Sequence, residues 1–163
     1  MSSSSLTIEQ ILAMLAAAPP RIAAATSGLA EDQLHAAPNV GEWSANEVLA
    51  HMRSCADVWG GCMLEIITHD APVLRAINPR TWIESTDYLE LEFQPSLRAF
   101  TTQRSELLAI VERLAPLDWS RSATVTGAGK PLVRTVLSYA EWLAVHERPH
   151  IKQIERIAKA VRV

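Results

Sequence analysis

The chain has 163 residues, enough to bury the core of one domain and too few for two well-filled ones, so a single domain over 1–163 is expected. Its composition is 48% apolar with only 6% aromatic residues and six glycines, which favours helices over a sandwich or barrel. The formal net charge of -3 offers none of the basic excess that marks a nucleic-acid partner.

From Met1 to Leu6 no positive side chain precedes an apolar run, and Glu9 and Pro19-Pro20 interrupt the apolar residues beyond Leu6, so no secretory leader is expected. Apart from Ser2 to Ser5 there is no low-complexity tract, and no internal repeat. Ile8, Ile11, Leu12, Leu15 and Ile22 keep helical spacing and predict a first helix that Pro19-Pro20 either kinks or restarts. A polar turn region extends from Gly28 to Gly41.

Ser44-Ala45-Asn46-Glu47 reads as a capping box and sets the start of a second helix. Its stripe is Val48, His51, Cys55, Trp59, Cys62 and Ile66, and it should end near His69-Asp70-Ala71-Pro72. The two cysteines lie too far apart along that helix for a disulfide and read as reduced, buried thiols of a cytoplasmic protein. After an irregular stretch from Pro72 to Glu92, a third helix carries Leu97, Phe100, Leu107, Val111 and Leu114 and stops before Pro116. Arg104 interrupts its stripe and is read as a surface or edge residue, with a place at a pocket mouth as the functional option.

Ser122 to Pro131 contains Gly127, Gly129 and alternating Thr and Val, and predicts a loop or a short extended excursion. The fourth helix, with Val136, Leu143, His146, His150, Ile154, Ile157 and Val161 on one face, runs to the end. Nowhere does the chain reach the roughly 20 consecutive apolar residues of a membrane span. Four inward stripes predict an all-α four-helix bundle, a common host for metal sites built from facing helices.

Three histidines fall on those stripes, where an unpaired imidazole is costly. His146 and His150, four apart on a helix, have Cβ atoms about 5 to 6 Å apart and can converge on one ion. His51 supplies a third nitrogen if the second and fourth helices are neighbours, and three protein ligands leave room for water or substrate. Imidazoles suit zinc, nickel, iron and copper alike. Cys55, one turn past His51, is read as a core thiol or a fourth ligand; Trp59 and Trp142 as core or pocket wall; His35 and His69 as solvated.

His146-Glu147-Arg148-Pro149-His150 also fits His-Glu-x-x-His, the metallopeptidase pattern in which the glutamate is the base. No histidine lies further along to serve as the downstream ligand of such enzymes, and Glu147 is read instead as a solvated helix residue. Pro149 predicts a kink in a continuous helix or a restart that would spoil the four-residue spacing.

Trp43-Ser44-x-x-Glu47-Val48-Leu49-x-His51, joined to His146-x-x-x-His150-x-x-Gln153-Ile154, resembles the DinB/YfiT-like superfamily over most of the chain. The resemblance implies a four-helix bundle with long connections, a divalent metal such as zinc, nickel or iron on His51, His146 and His150, and a homodimer. It also implies a range of activities: thiol-dependent S-transferases using a low-molecular-weight thiol, an isomerase, and metal-dependent hydrolases. The leading expectation is a metal-dependent enzyme, hydrolase or S-transferase, acting on a small-molecule substrate. A non-catalytic metal or ligand-binding module is the alternative, and a metallopeptidase comes third.

Overall fold

The computed structural model describes residues 5–162, so the tract Ser2–Ser5 lies outside it except for Ser5. Four long helices carry the fold: α1 (Ile8–Thr26), α3 (Ala45–Thr68), α5 (Phe93–Val111) and α6 (Val136–Val161), with one-turn helices α2 (Glu31–Leu34) and α4 (Pro79–Trp82) in the connections. Their apolar stripes turn inward as the spacing predicts: Ile11, Leu15, Val48, Ile66, Phe100, Leu143 and Ile154 are fully buried.

Helix α6 packs chiefly on α3 and α1, while α5 packs on α1 and α3. Around the bundle the order is therefore α1, α6, α3, α5, and the chain crosses a diagonal from α1 to α3 and again from α5 to α6. That explains the length of both connections. It also sets the second and fourth predicted helices side by side, the condition for their histidines to meet.

The box at Ser44 forms as predicted. The Glu47 backbone N–H donates to Ser44 Oγ at 3.1 Å, and the Ser44 N–H donates to Glu47 Oε1 at 3.1 Å. Thr135 caps α6 in the same manner, accepting from the Ser138 N–H at 3.0 Å. Neither helix with an interior proline, α1 or α6, breaks. Pro149 lies inside a continuous α6 and is exposed; the carbonyl it leaves without a donor belongs to Val145, itself 48% exposed, so water can take that place. The four-residue relation between His146 and His150 is preserved.

The all-α expectation needs one correction, a small three-stranded sheet of order β1-β2-β3. β1 (Val73–Arg75) runs parallel to β2 (Ser122–Thr126), with Val73 opposite Thr124, and β2 pairs antiparallel with β3 (Leu132–Thr135), with Thr124 opposite Val133. The Thr/Val alternation marks β2, whereas three residues of β1 are too few to show a period of two. Gly127 ends β2 at φ +93°, a left-handed turn that a side chain would resist, and a Cβ there would stand 3.3 Å from Arg75. Among the described residues no helix is long and apolar enough to cross a membrane.

Candidate metal centre

Because His51 lies seven residues beyond the Ser44 cap, about two turns, the start of α3 fixes the direction of its ring. That direction is toward α6. The ring centroids of His51, His146 and His150 lie 5.3, 4.8 and 4.7 Å apart pairwise, so the three predicted residues share one small volume between α3 and α6. His51 is buried, and His146 and His150 are half-buried.

Cys55 belongs to the same volume. Its Sγ is 3.6 Å from His51 Nε2, and one donor atom from each of His51, Cys55 and His146 fits within 4.8 Å of the others. The donor atoms of His51, Cys55 and His146 thus form one group, and the three rings another that shares His51 and His146 with it. Cys55 is fully buried, as a core thiol should be, and both it and the half-buried Cys62 are free.

The donor chemistry suits a cation. Burial, then the neighbouring histidines and Arg80, lower His51 from 6.5 to about 4, and burial, then His150 and Arg80, do the same to His146. Both rings are neutral at pH 7, each with one unprotonated nitrogen. His146 Nδ1 is buried and has no hydrogen-bond partner, an expensive omission for a polar atom unless something else occupies it. Gln153, one turn beyond His150, lies with Oε1 3.0 Å from His150 Nδ1. Since a carbonyl oxygen only accepts, that contact assigns the proton to Nδ1 and leaves Nε2 free to ligate. Cys55 is pushed up to about 12, by burial first and the Glu147 charge second, so without a metal it is a thiol.

Two sequence readings are overturned beneath the histidines. Glu147, expected in solvent, is only 2% exposed, and Arg104, expected at the surface or a pocket mouth, is 3% exposed. They form a bidentate pair: Arg104 Nη1 donates to Glu147 Oε1 at 2.8 Å and Nη2 to Oε2 at 2.5 Å, with Nη1 also donating to the Leu15 carbonyl at 2.9 Å. Burial raises the Glu147 carboxyl above its ordinary range while the Arg104 bonds work against that shift. With both oxygens engaged, Glu147 is not placed as the base of a metallopeptidase. Arg104, which interrupts the apolar stripe of α5, was the signal available for this pair.

The walls are aromatic. Trp43 lies 5.4 Å from the His51 ring, and Trp59 meets His146 edge-on at 4.9 Å. Trp59 is buried in the core, whereas Trp142 is 41% exposed and stacks on it. Sequence reasoning missed Asp57, two residues past Cys55, which accepts from Trp82 Nε1 at 3.0 Å, from the Tyr88 hydroxyl at 2.5 Å and from Gln103 Nε2 at 2.6 Å. Ser54 adds a bond to the Pro79 carbonyl at 2.5 Å, so α4 is tied across α3 beside the histidines and carries Arg80 there. His35 and His69 are exposed, each near a glutamate one turn earlier, as expected of solvated residues.

Residues 14–154 match the family model of the DinB superfamily, a span that includes all three histidines. The chain belongs to the DinB superfamily. Curated relatives are distant in sequence: a Geobacillus kaustophilus protein, named provisionally as a metal-dependent hydrolase, is 23% identical over 93% of this chain and 84% of its own length. A Bacillus licheniformis protein with the same kind of name is 24% identical over 89% of this chain and 83% of its own. Among solved structures, YfiT from Bacillus subtilis, described as a probable metal-dependent hydrolase with an unusual four-helix bundle topology, superposes with a TM-score of 0.78 at 17% identity. That superposition covers 98% of this chain and 91% of YfiT, and establishes the DinB chain as a bundle of the same architecture.

Proposed function

We propose that this DinB-superfamily protein is a divalent-metal-dependent hydrolase, with His51, His146 and His150 as the protein ligands. The observation that carries this reading is the buried, partnerless Nδ1 of His146 within a cluster of three imidazoles from two facing helices. The names of the curated relatives point the same way. A divalent ion held there supplies Lewis acidity and lowers the pKa of water to near neutrality.

The protein's own groups have distinct tasks in this reading. The capped start of α3 aims His51, and the continuous turn of α6 keeps His146 and His150 on one face. Gln153 holds the His150 ring in the tautomer that leaves Nε2 free. Trp43 and Trp59 exclude water from the imidazoles and favour their neutral form. The Arg104–Glu147 pair fixes α6 against α5 and α1 below the site.

The test is turnover by the metal-reconstituted protein on a panel of small esters and amides, with and without an added low-molecular-weight thiol. Hydrolysis without thiol, abolished by His146→Ala, supports the proposal. Turnover only of an electrophile, and only with thiol, would replace it with S-transfer, and no turnover in a metal-loaded protein would reduce it to a binding module.

A further inference from the structure

A second group of side chains adjoins the histidines without holding them. Trp142 stands one turn before His146 on α6, is 41% exposed, and stacks on Trp59 with ring centroids 4.5 Å apart and planes 23° from parallel. Beside this pair is a cavity of about 120 Å³ whose lining includes Tyr139, Ile77, Leu132 and Arg134. An apolar cavity of about 150 Å³ takes up benzene, so a space of this scale admits no more than a single six-membered ring.

Among the described residues, Arg134 is the only charged one on the cavity wall. Its guanidinium carbon lies 5.0 Å from the Trp142 ring centroid, over the ring. An arginine stacked this way keeps its in-plane N–H groups free, a fork whose geometry fits a carboxylate. Among the described residues, the arginines within ion-pair distance of a carboxylate are Arg21, Arg104 and Arg156; neither Arg134 nor Arg80 is one of them.

Resting on the metal-centre reading above, we infer that this cavity is the substrate subsite and takes the ring of a monocyclic aromatic carboxylate, with its carboxylate on Arg134. The ring fills the space beside the Trp59–Trp142 pair. A plainer role for Arg134, bracing Trp142 through its charge, predicts no preference for an acid over its amide.

The experiment is a titration of the full-length, isotopically labelled protein with benzoate and with benzamide, monitored through the tryptophan indole N–H resonances, before and after treatment with EDTA. Benzoate should shift the Trp59 and Trp142 signals saturably and bind about tenfold more tightly than benzamide. Arg134→Gln should remove most of that preference, and Trp142→Leu should weaken both ligands. Equal binding of acid and amide, or benzoate binding indifferent to Arg134→Gln, overturns the inference. If benzoate binding disappears with EDTA, the carboxylate was on the metal, and this inference fails while the metal centre stands. If binding persists in protein that never takes up metal, the subsite stands and the metal centre fails.

Discussion

Pro19 of α1 has no N–H to offer the Leu15 carbonyl, and Arg104 of α5 donates to that carbonyl at 2.9 Å in its place. The same guanidinium holds both oxygens of Glu147 on α6. A proline that costs α1 one helical bond thus creates the acceptor that helps satisfy a buried arginine, and three helices meet at one charged group.

Removing one partner of this pair leaves a buried charge or polar group uncompensated. Glu147→Gln and Arg104→Met should each destabilise the fold by about 3–5 kcal/mol, a fall in Tm of about 6–20 °C for a chain of this size. The double variant Arg104→Met/Glu147→Leu should recover most of the loss, because an apolar pair needs no compensation. A thermal melt in which Glu147→Gln behaves as wild type would contradict the buried pairing.

Stability of the metal-free protein should depend on pH through His51 and His146. Both fall from 6.5 to about 4 on folding, with burial the first cause, so between these values the unfolded chain binds more protons. Their contribution is fully present above pH 6.5 and is lost as the pH drops toward 4. Urea midpoints measured in chelator should therefore rise from pH 4 to pH 6.5 and level off above. A midpoint that falls over that interval would be inconsistent with two neutral buried imidazoles.

Gln153 touches the site only through His150 Nδ1. Gln153→Leu should lower metal affinity about 10–100-fold, the range for losing an orienting partner of a ligating histidine. Competition against a chromophoric chelator reads the affinity, and the melt of the chelated variant should stay close to wild type. Unchanged affinity would remove Gln153 from the site.

Asp57 gathers Trp82, Tyr88 and Gln103, and burial, then the Asp57 bond, pushes the Tyr88 phenol up to about 12. Asp57→Ala should release the segment from α4 to Tyr88 while leaving the bundle folded. Hydrogen exchange should then speed up over residues 79–91 and remain slow in α3 and α6; exchange that is unchanged there would show that other contacts hold the segment.

The bundle was legible because its four stripes each keep helical spacing over many turns, and because Ser44 and Glu47 announce the start of α3. The meeting of His51 with His146 and His150 results from those stripes once α3 and α6 are neighbours. The hidden features depend on partners far apart in the chain. Glu147 reads as solvated until Arg104, 43 residues away, is set against it. β1 is too short to carry a pattern and exists only through β2. Asp57 looks like an ordinary helix-surface acid because its three donors come from other elements. Cys55 was correctly placed on the inward face, but only the folded geometry reveals it as close to the histidines as they are to one another.

Metal content by plasma mass spectrometry, on tag-free wild type and on His51→Ala, His146→Ala and His150→Ala after reconstitution with zinc, nickel or iron, bears most directly on the metal centre. About one equivalent of a divalent transition metal is expected in wild type, with its loss from each variant. Wild-type protein that retains no metal, or a His150→Ala variant that keeps it while Cys55→Ala loses it, would contradict the three-histidine centre.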